Sequence, residues 1–233
     1  SFTYASRKNP EFMCHEMVRC LNCDLVYVTT PPNKLKLSEA YHTADYDSSE
    51  EAFDAAETYI NHMGDLISKL NLNSKVLEIG SGSGDFLYNL KKKGLTNLTG
   101  IEPSISAINC AHSEIKSHLQ EGVFQADDFQ EMNYDLVCCF MTLEHVYDPR
   151  EISESVNKIL KKGGYFVMVV HNYRSPLNRI LGKKSPIIDI EHMQLFSKKS
   201  IGLLLNKTNY QDIQVKDLYN RYSINYWIRL SPI

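Results

Sequence analysis

Five short runs of nearly continuous apolar residues punctuate the middle of the chain, at about 75–79, 97–102, 122–126, 134–140 and 162–170. Each is closed by glycine or charged residues, as expected of strands buried on both faces of a parallel sheet. Between and after them, apolar side chains return every three or four positions over about 85–93, 104–118, 150–161 and 198–207, which predicts helices. Strand and helix in alternation imply crossover connections, hence an α/β, doubly wound, mostly parallel sheet. Upstream, Ser48 or Ser49 followed by Glu50 and Glu51 is a helix-capping signal. The helix it opens is predicted to run to about Leu70, with Phe53, Tyr59, Ile60, Met63, Ile67 and Leu70 on one face. TTPPN at 29–33 breaks the chain before this, so residues 1–47 form a small N-terminal appendage and residues 48–233 the main domain.

The stretch with the most chemistry is 75–87, KVLEIGSGSGDFL, a strand, a glycine-rich turn and the start of a helix. Gly80, Gly82 and Gly84 let the backbone turn tightly and approach a ligand, while the helix N-terminus presents unpaired N–H groups. A dinucleotide fingerprint requires a third glycine at position 85, where this chain has Asp85, and Glu78 would repel a pyrophosphate. A cationic ligand fits better. S-adenosylmethionine carries an ammonium, a sulfonium and no phosphate, so acids around this turn suit it. The second strand ends in Glu102, at the spacing from the glycines where a carboxylate bonds ribose hydroxyls. Asp127, Asp128 and Phe129 follow the third strand and offer polar atoms and a ring to an adenine.

In this order VLEIGSGSGDFL, GIEPS, QADDF, YDLVCCFMTLEHVYDP, LKKGGYFVMVV and EHMQLFSKKSIGLLLNKTNY resemble the class I S-adenosylmethionine-dependent methyltransferases, over about residues 76–213. The resemblance implies that Glu78 with Gly80, Ser81, Gly82 and Gly84 holds the methionine portion of the cofactor. It assigns Glu102 and the adjoining Pro103 to the ribose, Asp127, Asp128 and Phe129 to the adenine, and Phe140 and Met141 to the wall of the methionine pocket. Late strands near 211–218 and 223–229 would complete the antiparallel edge usual in that fold, giving seven strands; the abrupt ending after them reads as a truncation. The segment AYHTADYD, with Tyr41, His42 and Tyr46, resembles the lid that covers the cofactor in relatives, where aromatic rings exclude water from a sulfonium; ordinary aromatic packing is the alternative.

Composition narrows the partners. With 25 basic and 28 acidic residues, a net charge of −3 gives no polyanion-binding surface, so nucleic acid is not expected. No run of about 18 apolar residues and no leader pattern is visible, which makes a cytoplasmic protein without membrane spans the expectation. Six cysteines lack a disulfide framework. Cys20 and Cys23 form a C-x-x-C knuckle with Cys14 and His15 just upstream, half of a zinc ribbon; the alternative is three free thiols, because tetrahedral zinc needs four ligands.

Methyl transfer to a hydroxyl or carbon benefits from a positioned base, and histidine suits neutral pH. His145 and His171 fall just past the fourth and fifth predicted strands, where open α/β sheets bind ligands, and His192 lies in EHMQLF before the next helix. His192 and His145 are the candidate bases, with Tyr173 and Arg174 facing substrate. The loop 175–190 between them is read as a cover over that substrate, its Arg179, Lys183 and Lys184 as solvated or anion-facing. The leading reading is a methyltransferase acting on a small molecule, by analogy a sugar nucleotide or polysaccharide precursor. The alternatives are a non-catalytic S-adenosylmethionine-binding or partner-binding module and, less favoured because of Glu78 and Asp85, a nicotinamide-dependent oxidoreductase.

Overall fold

A computed structural model describes residues 13–43, 46, 49–223 and 228. The N-terminal cysteines lie in a hairpin of β1 (Met17–Arg19) and β2 (Val26–Val28), and α1 (Lys34–His42) follows, capped by the Asn33 side chain. Next come α2 (Ser49–His62) and α3 (Gly64–Ile67). The single helix expected to Leu70 is thus interrupted at Met63, next to Gly64, whose backbone freedom disfavours helix continuation.

The main domain runs β3 (Val76–Ile79), α4 (Asp85–Lys92), β4 (Leu98–Glu102), α5 (Ile105–Asn109), α6 (Ser113–Lys116), β5 (Leu119–Glu121), β6 (Tyr134–Phe140), α7 (Pro149–Ile159), β7 (Leu160–Val169), α8 (Pro176–Leu181), β8 (Gln194–Leu195) and α9 (Lys198–Lys207). β5, β4, β3, β6 and β7 lie side by side in that order and all parallel, the α/β doubly wound arrangement expected. Chain order reverses between β3 and β6, and the turns after β3 and β6 open a crevice there. Side chains of β6 alternate between two cores: Leu136, Cys138 and Phe140 join Tyr59, Phe86 and Leu90, while Val137 and Cys139 join Leu77, Leu143, Val156 and Phe196. Cys138 and Cys139 are fully buried thiols pushed up by burial, so they are core residues.

Three strands differ from expectation. The third is β5, just upstream of the 122–126 run; Gly122, at φ +144, ends the pairing and sends Phe124 into the core. β7 begins at Leu160, ahead of the two glycines, and bulges between the pairs Tyr134–Leu160 and Leu136–Tyr165. Residues 211–218 form no strand; this charged stretch is largely exposed, and Lys198 pairs with Asp217 at 2.7 Å. The last expected strand, 223–229, falls mostly outside the described residues. Among those residues the parallel sheet therefore has five strands rather than seven, and antiparallel pairing occurs in a separate small sheet, β1–β2–β8.

Candidate functional site

One deep cleft of about 2120 Å³ opens over the crevice, larger than the roughly 300–1,000 Å³ of a typical small-molecule site and so roomy enough for two ligands. Its floor is the glycine turn. Gly80 sits at φ +73, and a Cβ added there would lie 2.7 Å from Thr142 Cγ2; Gly82, at φ +54, lies under the Tyr46 ring. Gly84, also at positive φ, begins α4 but packs toward Leu119 rather than lining the cleft.

Three acids surround the turn. Glu78 is 4% exposed and its Oε2 has no hydrogen-bond partner among the described residues; burial first, then Asp85 and Glu102, hold its carboxyl well above the usual range. Glu102 accepts from the Gly82 and Ser104 backbone N–H groups, each at 2.8 Å, which ties the β4 end to the turn; burial raises its carboxyl. Ser83 donates to Asp85 at 2.5 Å and bonds the Tyr46 hydroxyl at 2.8 Å. Burial pushes that phenol up to about 12, so it stays a neutral donor.

Burying uncompensated acids is costly. An orphaned carboxylate oxygen in a cradle that any Cβ would fill fits a ligand bringing positive charge and several donors, as the ammonium and sulfonium of S-adenosylmethionine do. Ser81, Pro103, Phe140, Met141 and Tyr41 also line this cleft, Met141 at the strained φ of +51. Asp127 and Asp128 are not brought to it: they sit exposed on a short 3-10 turn, and Phe129 packs on Phe124 and Tyr134. In their place the cleft is lined by residues 122–125, with Ala107 of α5 and its N-cap Ser104. The misplaced third strand explains the miss.

At the ends of β6 and β7 the three histidines converge. The His145 and His192 ring centroids are 4.8 Å apart, and those of His171 and His192 5.5 Å. His145 Nδ1 is 3.0 Å from the Tyr41 hydroxyl and 3.6 Å from Glu191 Oε2. His192 Nδ1 lies 2.7 Å from the Ile187 carbonyl, which can only accept, so Nδ1 carries the hydrogen and Nε2 is the basic nitrogen. His171, half-buried, is held down to about 3 by desolvation and by His192, and stays neutral. Beneath them Glu144 is wholly buried, accepts from the His171 N–H at 2.6 Å and, among the described residues, has an unpartnered Oε2. Burial pushes its carboxyl up to about 7. Glu144 stood in the sequence only as the neighbour of His145 in the LEHVYDP motif and Glu191 only as the neighbour of His192, because their burial against the histidines depends on how the loops pack.

Two further expectations are corrected. Tyr173 and Arg174 do not reach freely toward a substrate: both bond Asp24 on the N-terminal hairpin, Tyr173 through its hydroxyl at 2.8 Å and Arg174 through Nη2 at 2.5 Å and Nε at 3.1 Å. The guanidinium holds the Asp24 carboxyl well below the usual range. Cys14, His15, Cys20 and Cys23 assemble no zinc site; among the described residues no group of three or more His, Cys, Asp or Glu side chains is placed to hold a metal. The Cys20 thiol is instead lowered by the adjacent Cys23 backbone and side chain and by the Asn22 backbone.

A five-stranded parallel sheet wound on both faces, with an acid-rimmed glycine turn at its switch point, defines a nucleoside-binding α/β domain. The chain belongs to the class I S-adenosylmethionine-dependent methyltransferases: the family model described as a methyltransferase domain matches residues 50–215. It is 34% identical over 113 residues to the ubiquinone biosynthesis O-methyltransferase of Hydrogenovibrio crunogenus, covering 45% of this chain and 46% of that protein. To the protein of the same name from Photobacterium profundum it is 26% identical, covering 72% and 75%. The chain thus spans about half the length of the first relative and three quarters of the second. Among solved structures, a SAM-dependent methyltransferase from Archaeoglobus fulgidus superposes with a TM-score of 0.54 at 22% identity, covering 70% of this chain and 73% of that one. A Thermotoga maritima enzyme described as a possible histamine N-methyltransferase gives 0.53 at 23%, covering 70% and 76%. These two likenesses concern the fold. Among the described residues no helix is long and apolar enough to cross a membrane.

Proposed function

We propose that this chain is an S-adenosylmethionine-dependent O-methyltransferase whose small-molecule acceptor lies in the cleft against His145 and His192. When bound, S-adenosylmethionine supplies an electrophilic methyl carbon on a positively charged sulfur that leaves as a neutral thioether. Glu78 and the turn of Gly80, Ser81 and Gly82 would hold its methionine end, with Gly84 shaping the turn from behind; Glu102 and Pro103 would hold its ribose side, and Phe140, Met141 and Tyr41 would form the wall that keeps water out.

The observation that carries the acceptor half is the convergence of the histidines with Glu191 and Tyr41 inside the cleft. A hydroxyl becomes a good nucleophile as its proton leaves, and an imidazole is the group suited to take it near neutral pH. His145 is the better placed of the pair to hold that proton, because the Glu191 carboxylate at 3.6 Å stabilises an imidazolium. His192, through Nε2, is the second candidate, and His171 is too weak a base. Oxygen as the acceptor atom follows the names of the curated relatives, ubiquinone biosynthesis O-methyltransferases. A sugar nucleotide is the less favoured acceptor: Arg174, the cleft-lining cation of the 174–184 loop, is already neutralised by Asp24.

The test is a transfer assay over phenols, catechols and sugar nucleotides with wild type, His145→Ala and His192→Ala, with S-adenosylhomocysteine affinity measured separately by calorimetry. Loss of turnover on a phenolic acceptor by about 100-fold or more in either variant, at unchanged affinity, is expected. Full turnover in both variants would remove the histidines from the mechanism. Cofactor binding with no transfer to any acceptor class would favour a non-catalytic binding module.

A further inference from the structure

The loop from Met141 to Asp148 carries His145 between β6 and α7. It is fixed from outside. Both hydrogens of the Gln194 side-chain amide are used on it, Nε2 donating to the Leu143 carbonyl at 2.6 Å and to the Val146 carbonyl at 2.7 Å. The carbonyl between them, on Glu144, accepts from the backbone N–H groups of Met193 at 2.7 Å and Gln194 at 3.3 Å. Three backbone carbonyls around His145 are therefore held by one dipeptide. Gln194 is 4% exposed, so water does not replace these bonds.

That dipeptide is itself anchored. Gln194 and Leu195 pair with Tyr27 and Val26 of β2, and the Val28 N–H donates to the Met193 carbonyl at 2.9 Å. The residues just before it, Glu191 and His192, face His145 directly. The N-terminal hairpin, β8 and the His145 loop thus form one mechanical unit.

We infer that Gln194 is a positioning residue: its twin donations to Leu143 and Val146 set the orientation of His145 for proton transfer, with the N-terminal hairpin as the brace. The inference rests on His145 belonging to the acceptor site. Glutamine is the residue suited to this place, because its terminal NH2 gives two hydrogens to two carbonyls about a turn apart. A glutamate there would set a carboxylate against two carbonyl oxygens, and a methionine would leave both unpaired.

The experiment compares Gln194→Met and Gln194→Glu with wild type in three readouts: S-adenosylhomocysteine affinity, kcat and KM for the acceptor, and the NMR titration of the His145 ring, with His118 as internal control. His118 lies on the other side of the sheet's switch point, bonded to the Leu98 carbonyl at 3.0 Å. We expect affinity within about twofold of wild type and kcat lower by about 10- to 100-fold with KM changed far less. The His145 midpoint should move by about half a pH unit or more while His118 stays put. Wild-type titration of His145 in either variant overturns the inference, as does loss of cofactor affinity in both, which would make Gln194 a folding residue. Should the wild-type protein methylate no acceptor, it is the proposed function that fails, and the ring titration alone still decides the role of Gln194.

Discussion

A methyl group added at Gly80 meets the Thr142 side chain at 2.7 Å from a backbone held at φ +73, so the residue after β3 is constrained by two independent effects. Gly80→Ala is expected to destabilise the protein by about 1–3 kcal/mol and to weaken S-adenosylhomocysteine binding, as read by thermal unfolding and calorimetry. Glu144 makes a different prediction, in pH. Its carboxyl rises from 4.5 in the unfolded chain to about 7 in the folded one. Between those values the folded state is the one holding the proton, so Glu144 costs stability as pH rises through that window. His171 acts in the opposite sense: held at about 3 instead of 6.5, it lets the unfolded chain bind the proton between those values, so stability there rises with pH. A Glu144→Gln variant keeps an acceptor for the His171 N–H and isolates the carboxyl. Its stability relative to wild type should grow from about pH 4.5 to 7, by on the order of 3 kcal/mol in chemical denaturation; a pH-independent difference would contradict the assignment. The placement of Glu78 and Glu102 beside the glycine turn was legible because it depends on near neighbours in sequence, a strand end and the turn itself. The union of His145, His171 and His192 was not legible, since it depends on how three loops meet.

Helix α1 and Tyr46 close one side of the cleft through three contacts: Tyr41 on His145, Tyr46 on Ser83, and His42 on Glu121 at 2.8 Å. Two of the three end on groups beside the glycine turn or the histidine cluster, so filling the cleft should hold this element down. Limited proteolysis with and without S-adenosylhomocysteine is expected to show protection within residues 34–46; equal cleavage would assign the aromatic residues to ordinary packing. At this level the sequence was a good guide wherever periodicity ran long. α7 and α9, with β3, β4 and β6, fall where expected, because apolar runs of that length have one way to bury themselves. It failed where elements are short or lie at an edge. β5 is three partly exposed residues with little apolar character, and the apolar run beside it, 122–126, is a loop plugging the core with Phe124. β8 has two residues, too few for any periodic signal, yet it ties the small sheet to the loop that carries His145.

Taken as one body, the chain keeps buried acids around a cleft that wants a cation, and ligand binding should therefore stabilise the whole fold. At about 100 times its dissociation constant, S-adenosylhomocysteine or S-adenosylmethionine is expected to raise the unfolding free energy by about 2.7 kcal/mol, whereas NAD should leave Tm unchanged. A Tm rise with NAD alone would contradict the acid-based reading of the turn. The hairpin has a consequence for biosynthesis. Val26 and Tyr27 cannot find Leu195 and Gln194 until the ribosome has made nearly all of the intervening chain, which at about 5–20 residues per second takes on the order of 10 s. The parallel strands from β3 to β7 are complete well before then. During that interval the β2 edge has no neighbour on the β8 side, the state in which strands recruit foreign partners. A nascent chain should accordingly be able to grip nucleoside before it can grip acceptor, and heat-shock chaperones should engage it most strongly at lengths just short of β8.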